Sequence, residues 1–186
     1  QTIGKIGQGL LFDGTNDYIV VADSAVFDVS YITMAAWVNK QVNNPTWENI
    51  ISRQYQTSSA DDYVLSYDDT STDDYNCGIR TSGGSDYLDT AVSSIGDIGK
   101  WVYVVCTYDG TTIRLYRNNV LIGSKTHAFG GTIIPETTKL TMGGGFNGPG
   151  ADAGISEFPG GIIDDVRIYN RVLSADEIQR LYNMGR

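Results

Sequence analysis

The sequence predicts an all-β, two-sheet antiparallel sandwich closed by one short C-terminal helix. Three observations carry that expectation. Short apolar segments recur at roughly 8–12-residue spacing, bounded by turn residues, as in a sandwich of hairpins. Turn formers are abundant: there are 22 Gly, and the acidic residues are 18 Asp against 4 Glu. Asp favours turns and caps, whereas Glu favours helix interiors. Twelve Tyr suit half-buried pleated surfaces. The 186 residues are expected to form one domain, 1–186, large enough for a sizeable core.

The elements follow in order. "LLFDGTNDYIVVAD" reads as strand, Gly-containing turn, strand. "YITMAAWVNK" is a third strand, with Ile32, Met34, Ala36 and Val38 on one face and Ala35 and Trp37 on the other. "ENIISRQY", "DDYVLSYDD", "YNCGIRTS" and "DYLDTAV" are further short strands. Between them the Asp61-Asp62, Asp68-Asp69 and Asp73-Asp74 pairs are expected as solvated turns. "GKWVYVVCTYDGTTIRLYRNNVLIGSK" is the clearest stretch: a strand to Tyr108, an Asp109-Gly110 turn, a strand over Ile113–Arg117, an Asn118-Asn119 turn, and a strand leaving through Val120 to Gly123. Asp-Gly and Asn-Asn tolerate the positive φ of tight hairpins. "KLTMGGG" and "GIIDDVRIYNR" are late strands around a Gly-rich loop, Gly143 to Gly154. In "LSADEIQRLYNMG", Ser174 and Glu177 make a capping box, Leu173 and Ile178 a staple, Ile178, Leu181 and Tyr182 an apolar face, and Gly185 a C-cap.

The charge excludes some functions. A net charge of −9 with no Lys/Arg cluster disfavours nucleic acid. No apolar run reaches the ~18 residues of a membrane-spanning helix. With no leader and Gln1 in place of Met, the chain is expected to be a mature or excised module of a larger protein. Cys77 and Cys106 are open between a disulfide and two buried thiols. Neither they nor the single His127 makes a zinc site.

Two segments place carboxylates beside strongly apolar residues. In "GIIDDVRIY", Ile162, Asp164, Val166 and Ile168 share a parity, so an inward Val166 implies an inward Asp164. A buried carboxylate must be hydrogen-bonded or on a metal. "DGTND" offers two carboxylates, an amide, a hydroxyl and carbonyls, an oxygen-only set that suits calcium. The expectation is a structural Ca²⁺ bridging Asp13, Asp17 and Asp164, which would staple the termini. The alternative is that Asp13 and Asp17 cap their own turn and Asp164 accepts backbone N–H bonds.

The segments "GQGLLFDGTNDYIVV", "ITMAAWVNK", "IISR", "GKWVYVVCTYDGTTIRLYRNNVLIGS" and "FPGGIIDDVRIYNRVLSADEIQRLY" fall in an order that resembles the laminin-G-like, concanavalin A-like lectin–glucanase family over nearly the whole chain. Its most specific part is Gly161, Asp164, the Val166–Tyr169 strand and the Leu173-Ser174 helix start. The resemblance implies a jelly roll with its first and last strands side by side. It further implies a non-catalytic module of a secreted or surface protein, often with a bound calcium, that binds glycans or proteins.

Catalysis is not expected. The retaining glucanases of that fold carry a Glu-x-Asp-x-(x)-Glu strand, whereas Glu48, Glu136, Glu157 and Glu177 are isolated here. There is no G-x-S-x-G, and the Gly-rich loop lacks the Lys-Ser/Thr of a phosphate loop. Glycan recognition needs aromatic faces beside planar polar groups. The candidates are Trp47, in the polar "NNPTWEN", together with Arg53, Tyr55, Tyr63, Arg80 and Tyr87. Trp37 and Trp101, in firm strand patterns, are expected in the core. The sequence therefore points to a carbohydrate-binding, lectin-like module, extracellular or at the cell surface, with a glycan or polysaccharide partner. A protein-interaction or adhesion module is the alternative, ahead of a polysaccharide-degrading enzyme.

Overall fold

The computed structural model describes residues 1–43, 47–54, 61–68, 72–135, 137–146, 155–156 and 160–186. Its strands are β1 (Thr2–Ile3), β2 (Gln8–Phe12), β3 (Ile19–Val21), β4 (Ile32–Lys40), β5 (Glu48–Gln54), β6 (Asp61–Tyr67), β7 (Asp74–Thr81), β8 (Gly84–Ser93), β9 (Val102–Tyr108), β10 (Thr112–Arg117), β11 (Val120–Thr126), β12 (Leu140–Met142), β13 (Gly145–Phe146), β14 (Ile155–Ser156) and β15 (Gly161–Tyr169). Helix α1 covers Ala175–Met184. A seven-stranded sheet runs β1-β2-β15-β4-β9-β10-β11, and a six-stranded sheet runs β3-β12-β5-β6-β7-β8. Strands β13 and β14 form a small separate pair. Every pairing is antiparallel. The expected sandwich with its C-terminal helix is the observed fold.

Alternation along the strands divides the apolar residues between two layers. Ile32, Met34, Ala36 and Val38 of β4 join Tyr63, Leu65, Tyr67, Tyr75 and Ile79 of the other sheet in the inter-sheet core. The opposite β4 face carries Ala35 and Trp37, which pack with Tyr103, Leu173 and Ile178 beneath α1. The centre of the seven-stranded sheet is thus covered on both faces, which is why β4 is buried at every position. Trp101 is half-buried against this second cluster. Trp37 lies 5.5 Å from Tyr182 in a stacked arrangement. A Cβ at Gly185 would sit 2.6 Å from the Trp37 ring nitrogen, so the helix end closes on the indole only with glycine there.

The β9–β11 segment forms the two hairpins its turn residues demand. Asn118 and Asn119 have φ of 48° and 68°, and Gly110 has φ of 92°. The Asp109 carboxylate accepts from the Thr111 and Thr112 amides at 3.0 and 2.8 Å. At the helix, Ser174 and Glu177 complete the reciprocal capping box.

The "FDGTND" turn does not make a hairpin. Strand β2 pairs with β15, whereas β3 pairs with β12, so the turn carries the chain from one sheet to the other. The first and last long strands lie side by side, with Leu10 opposite Ile163 and Phe12 opposite Gly161. Cys77 and Cys106 form a disulfide joining β7 to β9, hence sheet to sheet, with their Cα atoms 6.3 Å apart.

Charged groups are buried between the sheets at both ends of the sandwich. At one end Lys40, Glu48 and Asp73 are 2%, 0% and 0% exposed. The Lys40 ammonium pairs with both carboxylates and lies 4.3 Å from the Tyr67 ring centroid. Burial pushes the Glu48 carboxyl up and the Lys40 ammonium down, while their mutual contact opposes both shifts. Beside them Asp68 accepts from the Asp74 amide at 2.9 Å. Asp62, Asp68, Asp73 and Asp74 are all buried, which corrects the expectation of solvated Asp-Asp turns. For Asp68 and Asp73 the reason is that their carboxylates sit where the Asp74 amide and Lys40 need acceptors.

Candidate functional site

The three aspartates nominated for a shared calcium do not converge. Asp13 accepts from the Thr15 and Asn16 amides at 2.8 and 3.1 Å, and Asp17 accepts from the Asp13 amide at 2.9 Å. The Thr15 amide first, and then the Asn16 amide, hold the Asp13 carboxyl below its usual range. Asp164 lies beyond Ile163 on β15, whose partner is Leu10, so it stands about 13 Å along the strands from Asp13. Its two carboxylate oxygens accept from the Ile6 and Asp165 amides, each at 2.7 Å. Among the described residues no three His, Cys, Asp or Glu side chains gather as a metal site. The residues as placed do not fit one shared ion.

Asp164 does not share the inward face of Val166 and Ile168 as its parity predicts, for a local reason. The β15–β4 register shifts between Asp164 and Arg167, and Asp165 adopts φ of 47°. This bulge moves the core-facing parity from Ile163 to Val166 and Ile168. Asp164 stands opposite Trp37 instead, on the face beneath α1. The residue that fastens the termini is therefore Asp164 through the Ile6 amide, a direct hydrogen bond across 158 positions of sequence.

The aromatic and guanidinium candidates divide. Arg53 and Tyr63 are opposite one another in register and point between the sheets, 1% and 0% exposed. Arg53 donates to the Phe27 carbonyl at 2.7 Å and pairs with Asp28 at 2.7 Å and Asp23 at 3.0 Å. The Tyr63 hydroxyl donates to the same carbonyl at 3.4 Å. Both are used to clamp the segment after β3 onto the sandwich, and neither is available to a ligand. Tyr55 lies outside the described residues.

Trp47, Arg80 and Tyr87 are brought together. Tyr63, Leu65 and Tyr67 of β6 and Tyr75, Cys77 and Ile79 of β7 face the core, so Val64, Ser66, Asn76, Gly78 and Arg80 face outward. Tyr87 is opposite Gly78 on this outer face, and a Cβ on Gly78 would run into its ring. The absence of that Cβ makes room for the Tyr87 ring against Gly78. The Trp47 ring is 6.0 Å from Tyr87, tilted by 57°, so the two make an angled aromatic wall. Arg80 is opposite Ser85 at the rim. Trp47, Arg80, Ser85 and Tyr87 are half-buried and Asp89 is exposed. Behind them the floor is polar: Ser52, Ser66 and Asn76 are fully buried, and Asn76 donates to Asp89.

Sequence reasoning missed Ser85 and Asp89 beside the wall, and Ser66 and Asn76 buried behind it. For Ser66 and Asn76 the signal was available: polar residues alternate with the core positions of "DDYVLSYDD" and "YNCGIRTS". Arrangements of this kind, aromatic faces beside a hydroxyl, a carboxylate and a guanidinium, stack on C–H-rich surfaces and bond to hydroxyl groups. His127 is not part of it. It is buried, its Nε2 lies 3.0 Å from the Ile79 carbonyl, and its Nδ1 accepts from the Phe129 and Gly130 amides.

No curated protein sequence matches the chain. Among solved structures, the binding domain of Paraclostridial Mosquitocidal Protein 1 superposes with a TM-score of 0.71 at 15% identity, over 98% of this chain and 44% of that one. The chain thus spans under half of that protein. Domain 4 of AbnA, a GH43 extracellular arabinanase from Geobacillus stearothermophilus in complex with arabinotriose, gives 0.69 at 17% identity, over 97% of this chain and 79% of that one. The CBM40 of the Ruminococcus gnavus IT-sialidase, bound to α2,3-sialyllactose, gives 0.59 at 17% identity over 85% of each chain. At such identities the likeness is one of fold. The family model described as the concanavalin A-like lectin/glucanases superfamily matches residues 13–179. With most of its length matched, the chain belongs to the concanavalin A-like lectin/glucanases superfamily.

Proposed function

We propose that the protein is a non-catalytic carbohydrate-binding module that holds a glycan against the outer face of its six-stranded sheet. The observation that carries this reading is the angled Trp47–Tyr87 wall beside the accessible Arg80, Ser85 and Asp89. Both aromatics are only half-buried, although both are large enough to be buried in a core. The glutamates that can be described are engaged elsewhere: Glu48 is fully buried against Lys40, and Glu177 caps α1. A paired acid and nucleophile at the wall is not supported by them. The disulfide between the sheets supports an extracellular or cell-surface location, since such bonds persist in oxidising compartments. Two solved structures of this fold with bound sugars, arabinotriose and sialyllactose, are in keeping with it.

A glycan array with the chain alone tests the proposal. Binding to a related set of glycans is expected, with loss of at least about tenfold on Trp47→Ala, the scale of a stacked aromatic contact. The variant's melting temperature checks its folding. A blank array from folded protein would transfer the role to protein adhesion.

A further inference from the structure

Resting on the glycan-binding reading, we infer that the ligand is a neutral, hydroxyl-rich oligosaccharide rather than a sialylated, sulfated or uronic-acid glycan. The charge inventory of the molecule carries this. All 13 Lys and Arg of the sequence lie within the described residues, so each can be placed. Lys40 and Arg53 are buried in the end clusters. Arg114, Arg117, Lys125 and Arg167 belong to the seven-stranded sheet and are ion-paired to Asp109, Asp97, Asp86 and Asp165. The remainder, save two, lie in the N-terminal segment, at Lys100 or around α1.

The two exceptions are Arg80 and Lys139. Arg80 stands at the aromatic wall. Lys139 precedes β12 on the parity of Thr141, and β12 is three strands from β7. At the spacing of paired strands that separation is about 14 Å, too far for both to grip one carboxylate or sulfate. The acidic side is better represented. Asp89 shares the face through its bond from Asn76, and Asp62 has the parity of Val64 and Ser66. The segments outside the described residues hold Asp69, Glu136, Asp152 and Glu157 and no Lys or Arg.

An anionic sugar would approach one guanidinium among carboxylates, on a molecule of net charge −9. Tight recognition of a carboxylate or sulfate relies on convergent cations or bidentate Arg in a favourable field. Neutral sugars instead present O–H donors, and carboxylates and amide oxygens accept them well. Their C–H faces match the Trp47–Tyr87 wall.

The test is a titration of the chain with two panels, at low and high salt. One panel holds arabino-, xylo- and gluco-oligosaccharides. The other holds sialyllactose, oligogalacturonate and heparin oligosaccharides. The expected result is binding within the neutral panel that changes less than about twofold with salt, and anionic binding at least about tenfold weaker. Preferred anionic binding that salt suppresses and Arg80→Gln abolishes would overturn the inference while leaving the glycan-binding face in place. Silence in both panels, with the protein folded, would overturn the face and the inference together.

Discussion

Lys40 brings a positive charge into the interior at the end of β4, where Glu48 and Asp73 are also fully buried. Each of the three is tolerated because the others are there. Lys40→Met would leave two carboxylates facing each other without a cation, and removing one partner of a buried pair costs about 3–5 kcal/mol. Urea unfolding is expected to show a loss of that size; a change below about 1 kcal/mol would mean the end cluster is hydrated. Asp164 makes a similar claim at the other face. Asp164→Ala strands the Ile6 amide, a charge-assisted bond whose loss costs about 1.5–3 kcal/mol. EDTA should leave the wild-type to variant difference unchanged. A difference that EDTA abolishes would show that Asp164 acts through an ion. Legibility at this scale was uneven. The buried state of Asp164 was readable from its apolar neighbours, but its partner was not, because the Ile6 amide is 158 positions away. Arg53 and Tyr63 were misplaced for the same reason: nothing local says that Phe27, Asp23 and Asp28 will fold under the sheet edge.

Helix α1 and its caps form a unit whose strength is local and therefore readable. Ser174→Ala is expected to cost about 1 kcal/mol, the usual worth of an N-cap oxygen. Arg171, and after it the Ser174 amide, hold the Glu177 carboxyl down at about 2 against an ordinary 4.5. The lowered value fixes the sign. The contribution is present above the unfolded value of about 4.5 and is lost as pH falls through about 2. Glu177→Gln should thus melt slightly lower than wild type at pH 6, and the gap should close between pH 4.5 and 2. A gap that persists unchanged in acid would mean the carboxylate charge is not what matters. Strand β15 shows the limit of reading elements from parity. A period of two predicts its faces until the bulge at Asp165, which the sequence marks with nothing stronger than an Asp-Asp pair. The tight turns at Asp109-Gly110 and Asn118-Asn119 were legible because positive φ selects those residue types.

Across the whole molecule, two sheets are held by a shared core and by one covalent staple. The Cys77–Cys106 bond joins residues separated by 29 positions on opposite sheets. Replacing both cysteines by alanine is expected to cost about 2–4 kcal/mol, read by urea unfolding under oxidising conditions. The same stability as wild type would mean the thiols are free. The fold class was legible because alternation and turn chemistry repeat along the chain and agree with one another. The distribution of strands between sheets was less so, as the β2–β3 turn shows by crossing between them. The candidate face was half legible. Its aromatics were visible as polar-context rings, whereas its floor depends on which parity of β6 and β7 the core takes.

The most direct test of the central claim is to titrate the isotope-labelled chain with a neutral oligosaccharide that it binds and follow the amide and side-chain resonances. Shifts are expected to concentrate at Trp47, Arg80, Ser85, Tyr87 and Asp89, with the Trp37 and Trp101 indoles unmoved. Shifts centred on the β2–β15 edge or on α1, with the Trp47–Tyr87 wall silent, would contradict it.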